Sequence, residues 1–246
     1  MTGVGENASG LAAPPAVDAR VRWVGEHALL VEVATQAGPE ATRRVAAVAQ
    51  ALENDPPACL VEVVPSYTSV LALLDPFALA RQDSPGSVAA AVRRRVRRAL
   101  AGGGGEAAAG RVWEVPVRYG GEGGPDLGDV AAWAGLTPAD VVRYHTAVEY
   151  TVLAVGFRPG YPFCGFVDPR IAAPRRAAPR QRVEIGSVGI AGRQTGVYPR
   201  ASSGGWQIVG RTELPLFDPL APTPSEGCRM RVGDTVRFVA LPEGVS

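Results

Sequence analysis

Hydrophobic residues recur along the first hundred positions with two different periods, and the change from one to the other sets out a small mixed layer. RVRWVG at 20–25 and ALLVEVA at 28–34 are rich in Val, Leu and Trp and flank Gly25-Glu26, as two adjacent strands do. From Pro39 to Leu52 the apolar positions Ala41, Val45, Val48, Ala49 and Leu52 take helical spacing, and Asp55-Pro56-Pro57 stops the run. CLVEVVPSYTSVLALLD at 59–75 predicts two more strands broken at Pro65-Ser66. At Ser84-Pro85 a cap and a first-turn proline open a second helix, with Val88, Val92, Val96 and Leu100 on one stripe. The order β-β-α-β-β-α closes near residue 101.

The pattern then changes. Gly102 to Gly105 followed by EAAAG reads as a flexible connector over 102–110. VWEVPVRYG at 112–120 is strand-like, residues 126–135 and 138–147 have the spacing of two short helices, and VEYTVLAV at 148–155 returns to strand. From Arg182 onward Gly and Pro punctuate short β-branched runs, VEIGSVGIAG, GWQIVG and DTVRFVAL, as in a compact barrel or sandwich. The expectation is an α+β chain: a tail at 1–18, a small mixed α/β domain at 19–101, the connector, and a β-rich domain at 111–246.

Composition narrows the chemistry. All 25 basic residues are Arg, so a Lys-dependent phosphate loop, a Schiff-base amine and a biotinylated carrier cannot be made by this chain alone. Cys59, Cys164 and Cys228 are odd in number, far apart and without CxxC, and only His27 and His145 are present; neither a disulfide framework nor a metal site is expected. No apolar run has the length of a membrane span, and the first 18 residues lack the basic start and apolar middle of a signal peptide, so a cytoplasmic location is expected. In RRRVRR at 93–98 the arginines fan around Val96 without interleaved aromatics; a solvated helix face accounts for them, and no nucleic-acid partner is expected.

Residues 156–212 hold nine arginines against Asp168 and Glu184, a local charge of +7 in a chain of net charge +1. Such an asymmetry points to an anionic ligand, a carboxylate or a phosphate. GFRPGYPF at 156–163 has Gly and Pro at 156, 159, 160 and 162, a rigid turn that presents Phe157, Arg158, Tyr161 and Phe163 to a ligand or packs the aromatics into a barrel. AGRQTGVYP at 191–199, and the glycine-flanked Trp206-Gln207 and Arg211-Thr212, repeat the pattern of small residues beside donors, as in a shared pocket. His145 ends a predicted helix, either projecting toward that pocket or hydrogen-bonded at the helix end. Clustering assigns Arg158, Tyr161, Arg193, Tyr198 and Arg211 to substrate binding and His145, Gln194 and Thr195 to catalysis, with His145 as the proton carrier.

Motifs spread over nearly the whole chain, VGEHALLVEV, VPSYTSVLALLDP, VPVRYGG, VEYTVLAVGFRPGYPFCGF, GSVGIAGRQTGVYP, GGWQIVGRTELPLFDP and GDTVRFVAL, resemble the allophanate hydrolase subunit 1 family. Cys164 and Phe166 stand where that family has a loop closer to GFPYLGG. The resemblance implies a C-terminal cyclophilin-like β barrel and a partner of the allophanate hydrolase subunit 2 type, the C component of 5-oxoprolinase, with the A component as a further member of the assembly. It also implies ATP as co-substrate, with Mg²⁺ at the assembled complex, and a cyclic amide, 5-oxoproline, activated for opening to L-glutamate. Two other roles follow from the same resemblance: inhibition of a histidine kinase, and one half of a urea or allophanate carboxyltransferase.

Overall fold

A computed structural model describes residues 19–82, 84–101 and 110–242. The expected tail at 1–18 and most of the connector lie outside the described residues. Strands β1 (Arg20–Trp23), β2 (Ala28–Glu32), β3 (Leu60–Ser66) and β4 (Ser69–Leu74) form an antiparallel sheet in the order β1-β2-β4-β3. Helices α1 (Pro39–Asn54) and α3 (Pro85–Ala101) cover one face of it. Leu29, Val31, Val70, Ala72 and Leu74 alternate inward, as a half-buried sheet requires, and meet Val45, Val48 and Leu52 of α1 and Val88, Val92 and Val96 of α3. The break in the 59–75 run falls at Tyr67-Thr68 rather than Pro65-Ser66, because both of those residues pair with β4. A short helix, α2 (Pro76–Ala80), was not expected; the Asp75 carboxylate accepts from the Phe77 and Ala78 N–H groups and starts it.

The second core is a barrel. Its strands are β5 (Val112–Tyr119), β6 (Glu149–Val155), β7 (Pro162–Gly165), β9 (Ser187–Ala191), β10 (Gln194–Val197), β12 (Gln207–Arg211) and β13 (Thr235–Ala240), closed in the order β10-β7-β6-β13-β5-β12-β9. All pairs are antiparallel except β5 with β13. Strands β8 (Arg180–Val183) and β11 (Ser202–Gly204) form a separate ribbon. Helices α4 (Leu127–Ala134) and α5 (Pro138–Thr146) add Leu127, Val130 and Val141 to the barrel core of Val115, Val117, Val152, Ile190, Val197 and Phe238. A Thr137–Asp140 capping box begins α5. The closed barrel after a mixed helix–sheet layer is the architecture expected from the sequence.

One buried carboxylate organises the approach to the barrel. Asp126 precedes α4 at 2% exposure and accepts from the Ile208 N–H at 2.7 Å, from Arg176 at 3.1 Å and from both terminal nitrogens of Arg180 at 2.8 and 2.7 Å. It therefore fixes the APRRAAPR segment to β12 by charge-assisted bonds. Two of the nine arginines of residues 156–212 thereby share one acid from outside that segment. Arg170 and Arg182 pair with Asp168 and Glu184. Removing the Asp126 carboxylate strands two guanidinium groups, so Asp126→Ala is expected to cost about 3–5 kcal/mol of unfolding free energy in a urea titration. A loss under about 1 kcal/mol would show that the clamp is not structural.

Candidate functional site

The residues assigned from sequence separate into three places. His145 and Thr195 lie inside the barrel, both at 0% exposure. The Thr195 hydroxyl donates to the Gly189 carbonyl at 3.0 Å, so at the 2.9 Å contact with His145 Nε2 it accepts. The imidazole is thus the Nε2–H tautomer, and its Nδ1 accepts from the Tyr119 hydroxyl at 2.7 Å. The ring packs against Phe238 at 4.5 Å, and the Tyr150 hydroxyl donates to the His145 carbonyl. This corrects the expectation that His145 faces a ligand: α5 lies against the barrel, and both ring nitrogens are occupied inside it. Burial pushes the His145 pKa down to about 3 and the nearby Cys164 thiol up to about 12.

Arg158, Arg193 and Arg211 have different neighbours and do not share a pocket. Arg193 lies over Phe166 at 5.6 Å on the β9–β10 turn. Arg211 is exposed at the end of β12, where its charge helps hold the Glu184 carboxyl down, after the larger effect of the Arg182 hydrogen bond. Arg158 stands over Phe157 at 5.7 Å on the 156–161 turn.

Gln194, Tyr161 and Tyr198 do converge, on an aromatic face outside the main barrel core. Tyr161 is perpendicular to Tyr198 at 5.1 Å and to Trp206 at 5.7 Å, and lies 4.7 Å from Phe163. Two glycines admit these rings. A Cβ at Gly196 would sit 2.9 Å from the Tyr161 hydroxyl, and one at Gly204 would overlap that of Tyr198. The turn between β3 and β4 completes the face: Tyr67 lies 6.5 Å from Phe163, and the Gln194 side-chain amide donates to the Tyr67 hydroxyl at 2.8 Å. That bond occupies an acceptor site on the phenol oxygen and leaves its proton free to donate elsewhere.

Arg175 is the cation of this face. Its guanidinium lies 6.0 Å from the Trp206 ring centre. Its charge acts on Tyr67, Tyr161 and Tyr198, opposing the burial that raises the pKa of all three. The phenols are accordingly neutral donors at physiological pH. No hydrogen bond of regular geometry reaches the buried Tyr161 hydroxyl among the described residues. Tyr67, Phe163 and Gln194 are part-exposed and Arg175 is exposed, so the face opens at that edge. At that edge the Tyr67 hydroxyl, the Gln194 amide and the Arg175 guanidinium are the groups that a carboxylate or a carbonyl oxygen can reach, over the buried rings of Tyr161 and Tyr198. The cluster contains no carboxylate or imidazole base.

Residues 19–226 match the family described as carboxyltransferase domain, subdomain C and D, and the chain belongs to that family. It is 40% identical over 227 residues to the B subunit of 5-oxoprolinase from Escherichia coli O157:H7, covering 92% of this chain and 98% of that protein. With the B subunit of 5-oxoprolinase from Bacillus subtilis (strain 168) the identity is 38% over 227 residues, covering 91% and 93%. The crystal structure of TTHA0988 has the same fold, with a TM-score of 0.70 and 36% identity over 89% of this chain, which spans 40% of that chain's length.

The imidazole carries a pH prediction. The folded pKa lies below the ordinary value, so the unfolded chain takes up the proton first. The contribution of neutral His145 to stability is complete above about pH 6.5 and falls by about 1.4 kcal/mol per pH unit as the pH drops toward 3. The imidazole NMR signals assigned to His145 in the folded protein are expected to stay neutral through pH 5; titration of His145 near pH 6.5 would contradict the sealed geometry.

Proposed function

We propose that this chain acts as the B subunit of an ATP-dependent 5-oxoprolinase, together with a C component of the allophanate hydrolase subunit 2 type. The observation that carries this reading is the open edge formed by Arg175, Tyr67 and Gln194 over the buried rings of Tyr161 and Tyr198, which provides binding and polarisation without a base. 5-Oxoproline fits that inventory: its carboxylate matches the guanidinium, its lactam oxygen matches the Tyr67 hydroxyl, and its ring has aromatic walls to pack against. The lactam is an unreactive amide, and ATP supplies the activation by phosphoryl transfer before ring opening to L-glutamate, completed by the A component.

The chain's residues bind the lactam, orient it and stabilise charge that develops on its oxygen; the proton acceptor comes from the partner. The similarity to two proteins named as the B subunit of 5-oxoprolinase, each over more than nine-tenths of this chain, supports this reading. The greater length of TTHA0988, with room for a second module in one polypeptide, is consistent with it. The family description favours a second reading, carboxyl transfer to urea or a related amide. That reading requires a biotin carrier from elsewhere, since this chain has no Lys.

Co-expression with the product of the neighbouring gene is expected to give a complex that releases ADP in response to 5-oxoproline and not to urea, an activity absent from either protein alone. In that complex Arg175→Gln is expected to lower kcat/KM about a hundredfold or more, and Tyr67→Phe about tenfold. ADP release indifferent to 5-oxoproline, or Arg175→Gln activity within about twofold of the unmodified complex, would overturn the assignment. Urea-dependent turnover requiring a biotinylated carrier would establish the second reading.

A further inference from the structure

Between the helix–sheet layer and the barrel lies a cleft of about 1000 Å³ that shares no lining residue with the aromatic face. One wall is α1 and β3, with Arg43, Glu53 and Glu62; the other is the 156–160 turn and the 224–234 segment, with Phe157, Arg158 and Arg231. The volume is several times what an amino-acid-sized ligand needs and falls in the range of cofactor-sized sites.

The lining acids and bases are not equally available. Asp234 is used internally: it accepts from the Arg111 N–H, the Trp113 indole and the Arg231 N–H, and pairs with the Arg111 guanidinium at 3.6 Å. Glu226 accepts from the Thr223 hydroxyl at 2.6 Å. Among the described residues no carboxylate pairs with the side chain of Arg158 or Arg231, so the barrel wall presents two uncommitted guanidinium groups. The uncommitted carboxylates, Glu53 and Glu62, are on the other wall.

Phe157 makes this wall unusual. Its φ is +64°, the one positive value among the described non-glycine residues, and its ring is 60% exposed. A bulky side chain held in the left-handed region, with its ring in water, is neither the relaxed backbone choice nor the buried one. The turn that imposes this is closed by Arg158 N–H to Gly156 O at 2.7 Å and Tyr161 N–H to Arg158 O at 3.0 Å. It places an exposed aromatic ring beside a guanidinium, at the mouth of a cleft with a second guanidinium. This combination suits a ligand with a flat face and an anionic end.

We propose that this cleft is a nucleoside phosphate site, with the base stacked on Phe157, the phosphates paired with Arg158 and Arg231, and sugar or amino donors facing Glu53 and Glu62. The choice of a nucleotide rests on the ATP-dependent reading above. The two sites are joined through one turn: the Phe157 ring meets the Tyr161 ring edge-on at 5.7 Å, so a nucleotide on Phe157 adjoins the lactam-binding face.

The test is equilibrium binding of ATP, with MgCl₂ present, to the full chain by calorimetry, with adenosine and inorganic phosphate as separate probes. Phe157→Ala, Arg158→Gln and Arg231→Gln are each expected to raise the Kd for ATP at least about fivefold, and Arg175→Gln to leave it unchanged. Phe157→Gly separates binding from folding, since glycine relaxes at this φ: the melting temperature is expected to rise while ATP affinity falls. Weaker binding of adenosine in Phe157→Ala, and of phosphate in the two arginine variants, would assign the two ends of the ligand. No ATP binding at millimolar concentration, or a Kd unmoved by all three cleft variants, would overturn the site. If the assembled complex turns over 5-oxoproline while those variants bind ATP normally, the cleft falls and the proposed function stands. If ATP binding depends on the cleft but no lactam is turned over, the cleft stands and the proposed function falls.

Discussion

The Asp126 carboxylate is the contact on which the arrangement of the aromatic face rests. A buried anion without partners is costly to hold, and here the solution is two guanidinium groups and a backbone N–H from two separate parts of the chain. Because Arg176 and Arg180 are pinned to it, the segment between Pro174 and Arg180 cannot drift away from β12. Arg175, one residue from a pinned position, is thereby held beside Trp206, and its guanidinium remains exposed for an anion. The clamped pair and the exposed cation are thus neighbours in sequence with opposite roles.

The same separation of roles runs through the aromatic face. Burial keeps the phenols of Tyr67, Tyr161 and Tyr198 protonated, and of the three Tyr67 stands at the open edge beside the Arg175 charge. The imidazole with the right chemistry for proton transfer, His145, is used to tie α5 to β5 and β10 through Tyr119 and Thr195.

Periodicity carried most of the fold. The 3.6-residue stripes of α1 and α3 and the alternation in β2 and β4 were readable because each element buries one face on a single core. Boundaries failed where pairing rather than pattern decides, as at Pro65-Ser66, which continue the ladder to β4. The site was legible in part. Gln194, Tyr161 and Tyr198 lie in glycine-rich loops whose composition marks close approach, and they do converge. Arg175 was indistinguishable from eight other arginines of its segment, since what sets it apart is that Asp126, about fifty residues away, holds Arg176 and Arg180 beside it. Tyr67 belongs to a turn 127 residues from the Gln194 that orients it, a relation no local pattern carries. His145 was misplaced because position at a helix end does not say which way the ring points.

Strand β13 follows every other barrel strand in chain order, yet it fills the gap between β5 and β6, running parallel to β5. Across that seam Asp234 meets Arg111, 123 residues earlier. During vectorial synthesis the helix–sheet layer has all its partners once residue 101 has emerged, whereas the barrel stays an open sheet with two unpaired edges until its last strand leaves the ribosome. The barrel is therefore the late and exposed step of biogenesis, and the stage at which a nascent chain would most need protection from edge-to-edge association.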